Sequence, residues 1–299
     1  MATLTSKIDF AVVVSVKNAN PNGDPLNGNR PRTNYDGYGE LSDVCIKRKI
    51  RNRLLDAKHS IFVQSDDYRI DGYRSLRERA EGELKNVMNN EDSFRETACK
   101  KWIDVRAFGQ VFAFSGGKKG KGKGKADNSD DSSEDKGVSI GIRGPVSIHP
   151  AFSISPISIS SIQITKSVSG EGDGSKRASD TMGLKHRVDY GLYVFYGSMN
   201  TQLAVKTGFS DEDALAIKQA LCNLFENDSS SARPEGSMEV HKVYWWRHNS
   251  ANGQYSSAKV HHSLSINLKD GVTEAKSIDD YDIIVKSLES LNVEVLDGR

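Results

Sequence analysis

Between Lys47 and Arg53 the chain places five basic side chains in seven positions, within the stretch SDVCIKRKIRNRLL. The whole sequence carries only 41 basic against 40 acidic residues. Guanidinium and ammonium groups at that density suit phosphate oxygens, arginine as a bidentate fork and lysine as a point charge. Arg30 and Arg32 close the asparagine-, glycine- and proline-rich segment just ahead, and Ser42 is placed to cap a helix whose free N–H groups also favour an anion. Loop and helix could together follow successive phosphates of a nucleic acid. An ordinary solvated surface is the other reading of a basic helix, and the residues alone leave both open.

Other chemistry has weaker footing. Asp24 and Asp36 lie in the same loop, where an acid could position a metal or water beside a phosphodiester; Asp24 in NGDP also reads as a turn former. There is no nucleophile-elbow, Walker, zincin or dinucleotide motif. His261 and His262 are expected in a strand, pointing to opposite faces, and so would not share a metal. No catalytic residue, metal site or cofactor is therefore expected. Tyr244, Trp245 and Trp246 could stack on bases, but adjacent tryptophans of a strand face opposite ways, which puts at least one in the core.

The elements that must position these residues follow from periodicity. IDFAVVVSV, residues 8 to 16, is apolar at nearly every position, as a central strand covered on both faces requires. In a helix from Ser42, Ile46, Ile50, Leu54 and Ala57 form the core stripe. Lys47, Arg51 and Lys58 flank it with Arg48 beside them, whereas Lys49 and Arg53 fall on the far flank, at solvent or a subunit interface. Residues 74 to 101 read as helical with mixed charge, and 104 to 114 as a short strand or turn. The run 115 to 137, five lysines followed by five acids, reads as a disordered insertion. Alternating strands are expected over 141 to 165, with breaks at Pro156 and Ser160–Ser161, and again over 187 to 200. The long polar segment between them suggests a projecting arm carrying Met182 and Leu184. A helix capped by Ser210, a strand through Trp245 and a final helix near 281 to 291 complete the chain. The order is that of an α+β, βαββαβ ferredoxin-like core with long insertions.

A net charge near +1 excludes global polycation behaviour, so nucleic-acid affinity would have to be local. Three cysteines without a C-x-x-C pair fit a reducing compartment rather than a disulfide or zinc framework. No apolar run approaches the roughly 18 residues of a membrane span. A cytoplasmic protein with no membrane partner is expected.

VKNANPNGDPLNGNRPR followed by SDVCIKRKIRNRL resembles the Cas-seven backbone subunits of CRISPR Cascade, and most closely the type I-C, or Csd-two, branch. DVRAFG, GIRGPVSIHPAFSISPI and HRVDYGLYVFYGSMN match the same pattern, so the resemblance spans most of the chain; the lysine–acid insertion departs from it. It implies one hand-shaped domain: a modified RNA-recognition-motif palm from about 6–60 and 188–299, fingers at about 61–140 and a thumb hairpin at about 165–188. It also implies noncatalytic binding of guide RNA (crRNA), with copies of the subunit polymerising along the spacer and displaying it to a target DNA strand in antiviral defence. Partners would be the Cascade large, small and Cas-five-type subunits. The RNA-binding residues so implied are Arg30, Arg32, Ser42, Lys47, Arg48, Arg51, Arg106, Arg143, Met182 as a base wedge, and Lys185. Related type III subunits cleave target RNA with an acid in the first loop, which makes Asp24 or Asp36 the basis of the alternative, a metal-dependent ribonuclease.

Overall fold

A computed structural model describes residues 2–114, 138–165 and 182–299. The insertion at 115–137 and the outer arm at 166–181, for which disorder and a polar loop were expected, lie outside the described residues.

The first strand, β1 (Ile8–Ala19), is buried without interruption from Ile8 to Val16. Its β-branched-rich run leaves no solvent-exposed face, with Asp9 and Ser15 buried too, and it pairs on one edge with β10 (Met182–Met199) and on the other with β11 (Met238–Arg247), both antiparallel. Short β2 (Gly23–Asp24) and β3 (Arg30–Pro31) fold the first loop back on itself, and β4 (Tyr38–Leu41) leads into helix α1 (Asp43–Asp56). Strands β5 (Gly109–Phe114) and β6 (Val138–Arg143) pair as a separate ribbon. They are followed by β7 (Val146–Ile148), β8 (Ala151–Pro156) and β9 (Ile159–Thr165). Late in the chain come β12 (Leu264–Leu268), β13 (Tyr281–Val285) and β14 (Val293–Asp297). The principal sheet runs β14-β11-β1-β10-β8-β4, with β7 and β9 also on β10.

This sheet separates two cores. On one face Phe10, Val12 and Val14 meet α1 and the later helix α6 (Asp211–Cys222), which touch one another; on the other, Ala11 and Val13 meet the β12–β13 pair and the short helix α7 (Ser257–His261). Helices α2 (Leu76–Glu83), α3 (Glu91–Lys101) and α4 (Ile103–Phe108) close a third core with the β5–β6 ribbon, around Phe62, Phe94, Trp102 and Phe112.

Several expectations change. The 104–114 segment is helix α4 and then a strand, and α5 (Thr201–Thr207) is a further helix after β10. Residues 281–285 are strand β13 rather than the start of a final helix, because they pair in register with β12. His261 closes α7 and is buried, while His262 is exposed. Trp245 and Trp246 do face opposite ways, but both are buried, one in each core, so neither reaches a surface where a base could stack.

Candidate nucleic-acid interface

Helix α1 forms because Ser42 caps it, its hydroxyl accepting from the Cys45 N–H at 3.3 Å while donating to Asn22 Oδ1 at 2.9 Å. Asn22 also accepts from the Ser42 N–H, so the first loop is stapled to the helix start. Ile46, Ile50 and Leu54 are buried as the stripe requires, each contributing about 1.5–3 kcal/mol. Ala57 instead lies exposed at the C-cap.

Each basic residue of the Lys47–Arg53 run meets a carboxylate. Lys47 Nζ is 2.9 Å from Asp43 Oδ2, one turn back. Arg48 lies 3.7 Å from Asp228 Oδ1 and keeps about a third of its side chain in solvent, 35%. Arg51 donates from Nε to Asp104 Oδ2 at 3.0 Å and sits over the Phe108 ring. Lys49 and Arg53 are not on a solvent or interface flank. Lys49 is fully buried against Asp228 and Phe225, and Arg53 is buried against Asp56 and Tyr68. The physical reason is that the segment around Asp228 folds over this side of α1 and supplies the anion; Arg233 Nε joins the same carboxylate at 3.1 Å. Burial outweighs the Asp228 charge and holds the Lys49 ammonium below the usual lysine range.

The DVRAFG segment works as a two-pronged clamp. Asp104, fully buried, accepts from the Phe62 and Val63 N–H groups at 2.7 and 3.0 Å as well as from Arg51. Arg106 makes a bidentate pair with Asp213 at 2.8 and 2.6 Å and donates to the Cys99 carbonyl at 3.2 Å. Arg106 therefore ties α4 to the start of α6, where Asp213 closes a capping box with Ser210. Its guanidinium lines a cleft of about 740 Å³ that also takes in Arg95, Lys100 and Lys206, while burial pushes the neighbouring Cys99 thiol up to about 11.

The first loop and the arm present a different environment. β10 extends beyond its pairing with β1, and among the described residues Met182–Arg187 pair only with β9, as a two-stranded arm. Arg30 reaches this base, donating to Ser161 Oγ at 3.0 Å and lying 3.5 Å from His186 Nδ1. Arg32 is 3.4 Å from Asp24, yet its Nε is buried without a hydrogen-bond partner. Lys185 is half-buried and Arg143 exposed, and neither has an acidic partner among the described residues. Met182 and Leu184 expose 57% and 66% of their surface, and Ile162 and Ile164 are exposed beside them. Two residues escaped the sequence reading: Lys17, exposed at the same end of β1, and Arg187, whose Nε is buried and unpartnered. Lys17 is a single cation within a strand-like pattern, with no charge run to mark it; Arg187 closes the Lys185–His186–Arg187 run, and its unmet hydrogen bond shows only in the fold.

Asp24 accepts from the Leu26 N–H at 3.2 Å and faces Arg32, as a turn former does. Among the described residues no group of three or more His, Cys, Asp or Glu side chains could hold a metal ion. No helix there is long and apolar enough to cross a membrane.

The fold and this site define an α+β protein with a large antiparallel sheet, in which Arg30 of the first loop and Lys185 and Arg187 of the β9–β10 pair have no acidic partner among the described residues. Residues 6–286 match the family model of CRISPR-associated protein Cas7, and the chain belongs to that family. A CRISPR-associated protein Cas7 from Haloferax volcanii is 25% identical over 233 residues, covering 77% of this chain and 67% of the relative. A chain of a CRISPR RNA-guided surveillance complex in a pre-nicking state overlays 90% of this chain and 84% of its own length, at 13% identity and a TM-score of 0.47. A chain of another such complex gives 16% identity and 0.42, with 90% and 78% covered.

Proposed function

We propose that the chain is a noncatalytic guide-RNA-binding subunit that polymerises along the crRNA spacer as the backbone of a Cascade complex and presents the guide to a target DNA strand. The carrying observation is the junction of first loop and β9–β10 arm, where Arg30 is held by a hydroxyl and an imidazole, and Lys185, next to His186 in the strand, has no acidic partner among the described residues. Cations so placed are available to phosphates, and they bind backbone rather than sequence. Family membership supports the same assignment. The order β11-β1-β10-β8, with α1 and α6 on one face, supports an RNA-recognition-motif palm, the β5–β6 region with α2 to α4 the fingers, and the β9–β10 arm the thumb. The first-loop and VDYGLYVFYG motifs support the type I-C branch, and with it a cytoplasmic complex containing large, small and Cas-five-type subunits.

In this reading Arg30, Arg32, Lys185 and Arg143 carry phosphate contacts and Met182 a base-displacing one. Lys47, Arg48 and Arg51 contribute cations shared with Asp43, Asp228 and Asp104, and Ser42 and Arg106 act mainly by holding loop and clamp in place. Engagement of Asp24 by Leu26 and Arg32 supports the noncatalytic assignment over a first-loop ribonuclease. The test is to purify the full chain from cells carrying its CRISPR array and size the nucleic acid extracted from it. RNA of discrete length, left intact by added magnesium, is the expected result. A preparation free of RNA and unable to bind it when supplied would overturn the assignment, and magnesium-dependent cleavage lost in Asp24→Ala would replace it.

A further inference from the structure

Resting on the RNA-binding reading above, we propose that Asn20 and Asn22 are positioning residues: they hold the Arg30–Arg32 segment in its binding position before RNA arrives, and act on the guide only through those arginines. The two asparagines stand at the root of the first-loop hairpin, where β2 pairs with β3 and Asp24 lies opposite Arg30. Asn22 Oδ1 takes two bonds from one residue, the Ser42 N–H and the Ser42 hydroxyl, each at 2.9 Å. The Asn22 carbonyl accepts from the Arg32 N–H at 3.1 Å, so a single residue fastens the arginine-bearing strand to the start of α1. Asn20 works from the other side. Its Nδ2 donates to the Asn29 carbonyl at 2.7 Å, and its backbone N–H donates to the Ala232 carbonyl at 2.9 Å, which ties the same hairpin to the segment after α6.

Core packing does little to order this hairpin. Between Pro21 and Pro31, which are buried, no residue is, and Leu26 near the tip is 98% exposed. Its shape therefore rests on the asparagine bonds and on close backbone approach: a Cβ on Gly23 would lie 2.0 Å from Asn29 Oδ1, and Asn29 itself takes the left-handed backbone at φ 59°. Fixing the backbone of one flexible residue is worth about a tenfold factor in an equilibrium constant, and a loop ordered only on binding loses that factor from its affinity. A frame closed in advance lets Arg30 and Arg32 meet phosphates already in place. Capping of α1 would account for the Asn22–Ser42 bonds alone, but Asn20 makes no hydrogen bond to α1 and serves the hairpin only.

The experiment is a double-mutant cycle on the full chain, read by binding of fluorescein-labelled single-stranded polyuridine over a range of salt and by amide hydrogen exchange of the free protein. Asn20→Ala and Asn22→Ala are each made in wild type and in an Arg30→Gln/Arg32→Gln background. In wild type each should weaken binding about tenfold while keeping the log–log salt slope, because the phosphate contacts survive and only their ordering is new. Amides of residues 23–32 should exchange about tenfold faster in the same two variants. In the background without the two arginines, each asparagine change should weaken binding by less than about twofold, since nothing remains to be positioned. An equal loss in both backgrounds would overturn the inference, because the asparagines would then touch RNA or act through global stability. Unchanged affinity in wild type despite faster exchange would also overturn it, as would wild-type affinity in Arg30→Gln/Arg32→Gln. Should Asn22→Ala fail to fold, Asn20→Ala decides alone, since it leaves the α1 cap intact. Failure of wild type itself to bind would count against the functional assignment instead, so the two are distinguishable.

Discussion

Along α1, each cation from Lys47 to Arg53 lies against an acid: Asp43, Asp228, Asp104 or Asp56. At the base of the arm, Arg30 meets a hydroxyl and an imidazole, and Lys185 and Arg187 meet no carboxylate among the described residues. The denser basic run in sequence is thus the better neutralised region in space. What a polyanion senses is the charge left over after the protein has paired its own groups, and of these two regions it is the arm that leaves more of its cations without an acid. The contrast also separates two roles: pairing on α1 holds segments together, whereas unpaired charge at the arm is available to a ligand.

The largest effect that could break this contrast lies at Asp228. Its carboxylate serves Lys49, Arg48 and Arg233, and Lys49 has no solvent to fall back on. Asp228→Ala should cost about 3–5 kcal/mol in denaturant unfolding, the usual consequence of stranding a buried charge. Lys49→Met should cost far less, because Asp228 keeps Arg233 at 3.1 Å and an apolar side chain suits the site beside Phe225. Equal losses in the two variants would mean that Lys49 is not the group Asp228 chiefly compensates.

That pair also shows where the sequence ceases to be legible. Helical periodicity placed Ile46, Ile50 and Leu54 correctly, because a stripe is a local property of one helix. The same wheel put Lys49 on an outer flank, since its partner lies 179 residues further on and nothing local announces it. β1 was readable because nine consecutive buried residues leave no alternative to a central strand. YDIIV, by contrast, is apolar enough for either helix or strand, and only its pairing with β12 decides. Arg30 could be singled out in the sequence as an arginine ending an unusual loop. Arg187 could not, because its significance rests on an unmet hydrogen bond rather than on residue spacing.

A binding comparison sharpens the contrast next. Arg30→Gln should weaken single-stranded RNA binding by about tenfold and make the salt slope shallower by about 0.7, since among the described residues its charge has no acid to share. The double variant Lys47→Ala/Arg51→Ala removes two cations already shared with Asp43 and Asp104, and should alter the slope by less than the roughly 1.4 of two free contacts. A larger slope change in the double variant than in Arg30→Gln would put the RNA track on α1 instead.

A pH titration of stability probes a third, buried cluster on the opposite face. Burial alone would raise Asp9, but hydrogen bonds from His248 and Ser257 and the charge of Lys7 hold it below its ordinary value. His261 is pushed down by burial, only partly offset by Asp9, and His241 is likewise lowered by burial. For these histidines the unfolded chain takes up protons that the folded one refuses, so stability falls as pH drops below about 6.5. Asp9 works in a lower window: its stabilising contribution is present above the ordinary carboxylate range and is lost as pH falls through its depressed value. Melting temperature should therefore decline gradually from pH 7.5 to 5.5, then again below the carboxylate range. His261→Gln, which can still donate to the Gly197 carbonyl, should flatten the first decline and leave the remainder set by His241. An unchanged first decline would mean that His261 is protonated alike in both states.

The smallest effect discriminates most finely between paired and available charge. Lys47 and Asp43 form an i,i+4 pair at the first turn of α1, with side chains 24% and 36% exposed, and Asp43 also lies at the favourable end of the helix dipole. Such a pair contributes only about 0.3–0.5 kcal/mol, so Lys47→Ala should shift unfolding by no more than that. Removing the lysine frees Asp43, which then faces any nearby phosphate unmasked. If the guide passes this turn, Lys47→Ala should weaken RNA binding more than it weakens folding, and Asp43→Asn in the same background should restore part of the loss. If the guide runs only along loop and arm, both changes should leave binding as it was, and α1 would be scaffold throughout its basic run.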